Sequence, residues 1–261
     1  MPRFAANLTM MFNEWHFLDR FAAAADAGFK AVEFLFPYDH PPETIAKQLS
    51  RHGLKQALFN MPPGDWDAGE RGLAALPDRF DDLQKAVEKS LIYANATGTE
   101  QLHLMAGLAD RNDTKAIGAY RRSVSWAADR LHEAGLNLLL EPINHRNMPG
   151  YFLNDFDYAA QLIAELARPN LKLQFDIYHR QIMHGDVTMA LRHMMPIIGH
   201  IQTASVPERH EPETGELNDP FLFNELDRLG YQGFIGCEYI PTAKTSDGLG
   251  WFSKYARGDA T

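Results

Sequence analysis

Short apolar runs alternate with longer segments of helical period along the whole sequence, and this alternation constrains the fold more than any other feature. Short runs rich in valine, isoleucine, leucine and phenylalanine are typical of buried parallel strands, and the longer segments have the spacing of amphipathic helices. We count eight such pairs in 261 residues. A barrel of eight parallel strands and eight helices is typically about 250 residues long. The sequence therefore predicts an α/β fold, a single (β/α)8 TIM barrel over residues 1–261.

The predicted strands are short, as barrel strands usually are, and longer helices separate them. The strands are predicted over residues 4–7, 31–36, 55–60, 101–105, 137–141, 172–176, 197–202 and 233–238. The helices are predicted over residues 15–27, 42–52, 78–97, 114–134, 155–167, 186–193, 220–229 and 245–255. Glycines follow five helices and indicate left-handed turns there; they are Gly28, Gly53, Gly98, Gly135 and Gly230. No linker or low-complexity tract divides the chain, so we expect one domain.

The balance of charges argues against a polyanionic partner. The formal net charge is −9 and the pI is about 5.6, so no basic field attracts nucleic acid or an anionic membrane. The single cysteine, Cys237, cannot form a disulfide within the chain, which suits a reducing cytoplasm. The N-terminal segment lacks a signal-peptide pattern, and no apolar stretch reaches about 18 residues. We therefore expect a soluble cytoplasmic protein, with a homodimer as the default assembly.

Four predicted strands in the second half of the chain end in a residue that carries an oxygen ligand. These residues are Glu141, Asp176, Gln202 and Glu238. The C-terminal ends of parallel barrel strands lie on one rim, so residues far apart in sequence meet there. An all-oxygen set suits a hard divalent ion such as Mg²⁺ or Mn²⁺. The alternative is that each residue caps a strand or forms an ion pair, but three buried carboxylates repel one another unless a cation lies between them.

Several segments resemble the hydroxypyruvate isomerase family, which includes the closely similar 2-oxo-tetronate isomerases. The segments are FAANLTMMF, EFLFPYD, PPGDWDAGERG, LLLEPIN with MPGYFL, FDIYH, PERHEPETGE and GCEYIP. They extend almost from end to end of the chain and include both the rim residues and several loops. The resemblance implies a xylose-isomerase-like TIM barrel, and it implies that the protein is an isomerase.

The resemblance also implies roles for the four rim residues. Glu141 and Glu238 would act as acid and base, and together with Asp176 and Gln202 they would bind the divalent ion. Moving a carbonyl by one carbon requires that a proton leave one carbon and return to its neighbour through a cis-enediol, and two carboxylates can serve the two carbons. The ion would stabilise the negative charge that develops. No organic cofactor is expected.

Two substrates remain open within this reaction class. The enzyme would act on a small hydroxy-oxo acid, converting either 2-oxo-tetronate to 3-oxo-tetronate or hydroxypyruvate to tartronate semialdehyde. The segments MPRFAANLTMMF, LHLMAG and YQGFIGCEY favour the tetronate branch, whereas EPINH fits both. One additional hydroxymethyl group on a substrate changes binding by only about 1–3 kcal/mol, so the sequence pattern leaves both substrates open.

Two residues after the later strands are candidates for contacts with the substrate. His179 lies three residues beyond Asp176, and in related isomerases and epimerases a histidine in such a position bonds a substrate oxygen. The alternative is a neutral histidine that donates to a backbone carbonyl. Arg209 follows the seventh strand, where its planar fork can bind a carboxylate, unless it only pairs with Glu211 or Glu213.

The opposite side of the predicted mouth carries Asn7, Asn60 and His103. They either contact the substrate or form hydrogen bonds within the core. Glu70 lies in a glycine-containing loop over residues 61–77, which either folds over the site as a lid or packs rigidly. We include all four residues among the candidate substrate contacts.

Three further functions suit the same fold, because fold alone does not determine function. A sugar epimerase also uses two metal-bound glutamates, but it has a histidine where this chain has Gln202. A metal-dependent apurinic endonuclease uses a larger, histidine-rich ligand set and binds DNA, which the charge of this chain disfavours. A non-catalytic binding barrel would not need two spare carboxylates beside an ion.

Overall fold

The structure is a computed structural model that describes residues 1–256, and it contains eight parallel strands closed into a barrel. Each strand pairs with the next one along the chain, and the eighth pairs with the first. The strands are β1 (Arg3–Asn7), β2 (Ala31–Phe34), β3 (Lys55–Asn60), β4 (Gln101–His103), β5 (Asn137–Leu140), β6 (Leu171–Asp176), β7 (Ile198–Thr203) and β8 (Phe234–Cys237). The predicted barrel is confirmed, and the strand ends agree with the prediction to within two residues.

Helices surround the barrel and connect its strands. They are α1 (Arg20–Asp26), α2 (Pro42–His52), α3 (Phe80–Thr97), α4 (Thr114–Glu133), α5 (Phe156–Leu166), α6 (Ile177–Met183), α7 (Val187–Met194), α8 (Asp219–Arg228) and α9 (Ser253–Ala256). Short 3-10 helices lie at Phe17–Asp19, Pro77–Arg79, Met195–Ile197 and Thr245–Gly248. In α4, Tyr120, Val124 and Leu131 are buried. Their spacing places them on one apolar stripe of the helix, which is the face that packs onto the core.

The helix predicted over residues 245–255 is wrong. The structure has the 3-10 turn Thr245–Gly248 there, and the short α9 follows only at Ser253. Gly248 and Gly250 lie between the start of that turn and α9. A glycine inside a helix costs about 1 kcal/mol relative to alanine, so two of them in three positions interrupt the helix.

Helix α6 is an element that the sequence pattern does not predict. It begins at the residue after Asp176, directly at the end of β6. An oxygen of the Asp176 side chain accepts hydrogen bonds from the backbone N–H groups of Tyr178 and His179. Such a cap satisfies donors that the first turn of a helix leaves free. One residue therefore ends a strand and caps a helix, and no connecting loop separates the two elements.

Left-handed residues at helix ends return the chain to the barrel. Gly53 follows α2 with φ 63°, and Gly98 follows α3 with φ 70°. Glycine adopts this conformation without the steric penalty of a side chain. All five glycines predicted at such turns have positive φ, so that prediction is confirmed. Ala167 makes the same turn after α5 with φ 51°.

Polar side chains occupy part of the barrel interior. Nε2 of His200 on β7 lies 2.6 Å from Oε2 of Glu33 on β2. These strands are not neighbours in the sheet, so the contact crosses the inside of the barrel.

No helix within residues 1–256 combines the length and the apolar character that a bilayer span requires.

Candidate active site

The strand order brings the four predicted ligand residues to one rim of the barrel. Asp176 is the last residue of β6 and lies in register with Gln202 of β7. Gln202 in turn lies beside Gly236 of β8. Glu141 and Glu238 are the residues that follow β5 and β8. All four side chains are buried, although three of them are carboxylates.

Each of the three carboxylates keeps one buried oxygen without a hydrogen-bond partner in the described chain. These atoms are Glu141 Oε1, Asp176 Oδ2 and Glu238 Oε2. Side-chain atoms of Glu141, Asp176 and His179 lie within 4.8 Å of one another. A buried polar atom without a partner costs about 1–3 kcal/mol, and more if it is charged. The cluster therefore fits a group that supplies positive charge, and a divalent cation prefers such oxygen ligands.

Burial and mutual repulsion raise the pKa values of these carboxyl groups. Burial, and then the charges of Glu238 and Asp176, raise the pKa of Glu141 well above its ordinary value. Burial raises the pKa of Glu238 to about 8, although Arg209 opposes this shift. Burial also raises the pKa of Asp176 to about 6, again against the effect of Arg209. Carboxyl groups with raised pKa values can hold and release a proton near neutral pH, which proton-transfer chemistry requires.

Arg209 lies between two of the carboxylates. Its Nη2 is 3.4 Å from Glu238 Oε2 and 3.8 Å from Asp176 Oδ2. Its Nε donates to the backbone oxygen of Glu238 at 3.2 Å. The guanidinium carbon is 4.9 Å from the centre of the Tyr178 ring, which is a cation–π distance. Burial would lower the pKa of Arg209, but the carboxylates of Glu238 and Asp176 raise it above its ordinary value.

The backbone at Arg209 explains why its side chain reaches the rim. The residue has a left-handed φ of 59°, which costs a non-glycine residue about 1–3 kcal/mol. Its N–H donates to the Ser205 carbonyl at 2.9 Å, and its own carbonyl accepts from the Ile240 N–H at 2.8 Å. These bonds hold the strained residue in place. Arg209 thus faces the site and not Glu211 or Glu213, the partners of the alternative interpretation.

Hydrogen bonds determine which nitrogen of His179 carries the proton. Asn144 Nδ2 lies 2.6 Å from His179 Nδ1, and Asn147 fixes the Asn144 amide by accepting from Nδ2 and donating to Oδ1. Nδ1 is therefore the acceptor, and the proton is on Nε2. Nε2 lies 3.7 Å from both Glu141 Oε1 and Asp176 Oδ2. Burial lowers the pKa of His179 well below its ordinary value, so a neutral ring presents an N–H donor to the site.

His103 approaches the cluster from β4. Its Nδ1 lies 3.5 Å from Glu141 Oε2, and neither ring nitrogen has a hydrogen-bond partner in the described chain. Burial lowers the pKa of His103 to about 3, so the ring is neutral. The structure thus places this predicted residue directly beside a predicted catalytic glutamate.

The predicted substrate contacts Asn60 and Asn7 both lie at the rim, but their side chains differ in how they are engaged. Asn60 lines a small cavity together with Glu141 and Glu238. Asn7 also lines this cavity, but its Nδ2 donates to Glu33 at 3.0 Å, so the amide is engaged within the barrel.

The hydrogen-bond and ion-pair partners of Glu70 lie within nine residues of it in the sequence. It forms an ion pair with Arg79 and accepts a hydrogen bond from the backbone N–H of Asp65 at 2.5 Å. Arg71 of the same loop lies 3.9 Å from the centre of the Trp66 ring. These contacts hold the loop over residues 61–77 together, and no described contact links Glu70 to the carboxylates of the rim. A contact of Glu70 with the substrate stays a prediction.

Sequence reasoning missed three residues that organise the site. Asn144 and Asn147 fix the His179 ring, and they belong to the segment that follows Glu141. Two asparagines three positions apart in a loop are a pattern that favours such mutual hydrogen bonds. Glu33 is a charged residue inside the short apolar run AVEF of β2. A charge in a buried strand indicates a specific partner, and this signal was available in the sequence.

Comparisons with known proteins identify the family of the chain. Residues 21–255 match the family model described as a xylose isomerase-like TIM barrel. The chain is 54% identical to a 2-oxo-tetronate isomerase from Cupriavidus necator, covering 98% of this chain and 99% of that protein. It is 40% identical to a hydroxypyruvate isomerase from Escherichia coli, covering 98% of this chain and 100% of that protein. A crystal structure from Brucella melitensis, described as an AP endonuclease of family 2, superimposes with a TM-score of 0.95 at 50% identity, covering 98% and 99% of the two chains.

Proposed function

This chain belongs to the xylose isomerase-like TIM-barrel family, as an isomerase of the hydroxypyruvate isomerase type, and from that premise we propose that it converts 2-oxo-tetronate into 3-oxo-tetronate with a divalent metal ion. The observation that carries the proposal is that Glu141, Asp176 and Glu238, buried at one rim, each keep an oxygen without a hydrogen-bond partner in the described chain. The choice of 2-oxo-tetronate as the substrate is supported by 54% identity to a 2-oxo-tetronate isomerase, against 40% identity to a hydroxypyruvate isomerase.

Four residues would hold the ion, which we propose to be Mg²⁺ or Mn²⁺. They are Glu141, Asp176 and Glu238, through the oxygens without a hydrogen-bond partner, and Gln202 through its amide oxygen. The Gln202 oxygen accepts one hydrogen bond, from Gln174 Nε2 at 2.6 Å, so a second lone pair is free. When bound, the ion polarises the carbonyl of the substrate and stabilises negative charge on its oxygens. The reaction needs no organic cofactor.

The two glutamates move the proton. One carboxylate oxygen takes the proton from C3, and the electron pair of that C–H bond forms the double bond of a cis-enediol while the pair of the C2 carbonyl moves to its oxygen. The other glutamate, which starts protonated, delivers its proton to C2, and the proton of the C3 hydroxyl passes to the C2 oxygen, so that C3 becomes the carbonyl and C2 carries the hydroxyl.

Arg209 and His179 would orient the substrate. The contacts of Arg209 use Nε and one side of Nη2, which leaves Nη1 and the second hydrogen of Nη2 for the substrate carboxylate. A guanidinium binds a carboxylate through two parallel hydrogen bonds and so fixes its direction. The N–H donor of His179 Nε2 would bond a substrate hydroxyl. Burial of the cluster keeps bulk water away and strengthens these interactions.

The test is an assay of the purified protein after removal of metals with a chelator. Mg²⁺ or Mn²⁺ is then added, and 2-oxo-tetronate and hydroxypyruvate are supplied in parallel in D₂O. NMR follows isomer formation and the entry of deuterium at the carbon that receives the proton. We expect metal-dependent formation of 3-oxo-tetronate at a higher kcat/KM than conversion of hydroxypyruvate.

Different results would identify the competing functions. A higher kcat/KM for hydroxypyruvate would correct the substrate and keep the mechanism. A DNA duplex with one abasic site serves as a third substrate, because a relative of similar structure is described as an AP endonuclease. Cleavage of that duplex without any isomerisation would overturn the proposal. Deuterium exchange without movement of the carbonyl would indicate an epimerase.

A further inference from the structure

A group of polar side chains lies inside the barrel next to the four rim residues, and we propose that Glu33 in this group is a positioning residue that fixes the orientation of Gln202. The inference rests on the proposed role of Gln202 as a ligand of the metal ion. Glu33 is on β2 and its exposed fraction is 1%. Strand β2 pairs with β1 and β3, whereas Gln202 is on β7, so the two side chains meet across the barrel interior.

Three donors hold the Glu33 carboxylate. Its Oε1 accepts from Asn7 Nδ2 at 3.0 Å and from Gln202 Nε2 at 2.9 Å. Its Oε2 lies 2.6 Å from His200 Nε2. A Cβ atom at Gly236 would overlap this carboxylate, so β8 leaves the space that Glu33 fills. A buried carboxylate with three donors and a space shaped to it is fixed in position.

This fixed carboxylate determines which end of the Gln202 amide faces it. A carboxylate only accepts hydrogen bonds, so the NH₂ end of Gln202 must point to Glu33. The oxygen then points the other way, where Gln174 Nε2 donates to it at 2.6 Å. Its free lone pair is available to a cation. A reversed amide would present hydrogens to the ion, and a hard cation binds only the oxygen.

The shape of the site does not choose between the two ends of the amide, because NH₂ and oxygen have nearly the same size. The hydrogen-bond partners therefore decide the orientation. Glu33 has two alternative roles besides that of a positioning residue. The negative charge of Glu33 could attract the cation directly, or the residue could only fill the barrel interior. The three roles predict different behaviour when Gln202 is absent.

The test is a double-mutant cycle of Glu33→Gln and Gln202→Ala, with the dissociation constant of Mn²⁺ as the readout. Electron paramagnetic resonance of free Mn²⁺ gives this constant on metal-stripped protein without any turnover. Circular dichroism melting of the metal-free variants checks the fold, and Glu33→Asp replaces Glu33→Gln if that variant does not fold. We expect Glu33→Gln to weaken Mn²⁺ binding about 10- to 100-fold in the wild-type background, as loss of a residue that orients a metal ligand usually does. In the Gln202→Ala background the same change should have almost no effect.

Each of the remaining outcomes overturns the proposal for a separate reason. An equal loss of affinity in both backgrounds means that Glu33 acts through its charge. Unchanged affinity with a lower melting temperature means that it only fills space. If Gln202→Ala alone leaves Mn²⁺ binding unchanged, the ligand role assigned to Gln202 fails, and the positioning role fails with it. Isomerisation by the wild-type protein is measured separately in D₂O, so this failure is distinguishable from failure of the proposed function.

Discussion

Glu141 and Glu238 have different surroundings although they share one site. The Glu141 carboxylate is flanked by two neutral rings, with His179 Nε2 at 3.7 Å and His103 Nδ1 at 3.5 Å. Glu238 is flanked by the positive guanidinium of Arg209 at 3.4 Å. A neighbouring cation favours the charged form of a carboxyl group and neutral neighbours do not. The two groups therefore differ in how readily they hold a proton, which suits the acid and base roles that we propose for them.

Replacing either glutamate by glutamine removes a group that transfers a proton and keeps its size. We expect Glu141→Gln and Glu238→Gln each to lower kcat about 10²- to 10⁴-fold with the fold retained. Steady-state assays with saturating Mn²⁺ and circular dichroism measure the two effects. Glu165→Gln serves as control, because Glu165 pairs with Arg121 on the outside of the barrel. Activity near that of the wild type in either variant would contradict the two-glutamate mechanism.

Replacing Arg209 by lysine keeps the charge and removes the planar fork. Lysine offers a point charge that cannot form two parallel bonds to a carboxylate. A hydrogen bond to a charged group contributes about 1.5–3 kcal/mol, so we expect KM to rise roughly 10- to 100-fold while kcat changes less. An unchanged KM would remove Arg209 from recognition of the substrate carboxylate.

Replacing Asn144 by aspartate reverses the hydrogen bond to His179 at almost constant shape. An aspartate carboxylate only accepts hydrogen bonds, so Nδ1 would carry the proton and donate to it, and the neutral ring would lose its donor at Nε2. We expect kcat/KM to fall about tenfold or more, the value of one lost hydrogen bond. NMR of ¹⁵N-labelled histidine identifies the tautomer directly. If the tautomer changes and the kinetics do not, His179 does not donate to the substrate.

Among the secondary-structure elements, α8 begins with a buried acid. Asp219 is its first residue, and its Oδ2 accepts from the backbone N–H of Glu213 at 2.6 Å. The second oxygen has no partner in the described chain. Burial raises the pKa of Asp219 to about 6, against the effect of the Glu213 N–H. A carboxyl whose pKa is higher in the folded state binds its proton more tightly there, so folding is weakened as the pH rises from about 4 to about 6.

Asp219→Asn should remove this part of the pH dependence. Near pH 4 the unfolding free energies of variant and wild type should agree, and above pH 6 the variant should be more stable by up to about 3 kcal/mol. Urea unfolding at both pH values measures the difference. Asp78→Asn, at an exposed position, is the control for the loss of one charge. A variant less stable than the wild type at pH 7 would show that the helix needs the carboxylate.

The elements that the sequence predicted well are those whose pattern is local. Alternating apolar runs are sufficient to predict the barrel strands, and these also place Glu141, Asp176, Gln202 and Glu238 at strand ends. Helix α6 was missed because its cap is a side chain that also ends a strand. The roles of Glu33 and Asn144 depend on partners 169 and 35 positions away. Such pairings arise from the closed barrel and have no local pattern.

At the scale of the whole molecule, the repelling carboxylates should make stability depend on the metal. A ligand that binds only the folded state at 100 times its dissociation constant adds about 2.7 kcal/mol to the unfolding free energy. For a barrel of this size that corresponds to a melting temperature about 5–10 °C higher. Calorimetry of the metal-stripped protein with and without Mn²⁺ measures this shift of the melting temperature, and excess chelator should reverse it. A melting temperature that does not change when Mn²⁺ is added would contradict a metal site at this rim.

The contact between Glu33 and His200 joins residues separated by 167 positions in the chain. During synthesis on the ribosome, Glu33 emerges early, whereas its histidine partner emerges only after about three quarters of the chain has been made. Closure of loops this long is slow compared with the formation of single helices. Glu238 follows β8, so the proposed ion site is not assembled in a nascent chain until this last strand has emerged. A truncated copy that lacks β8 is therefore expected to bind Mn²⁺ poorly.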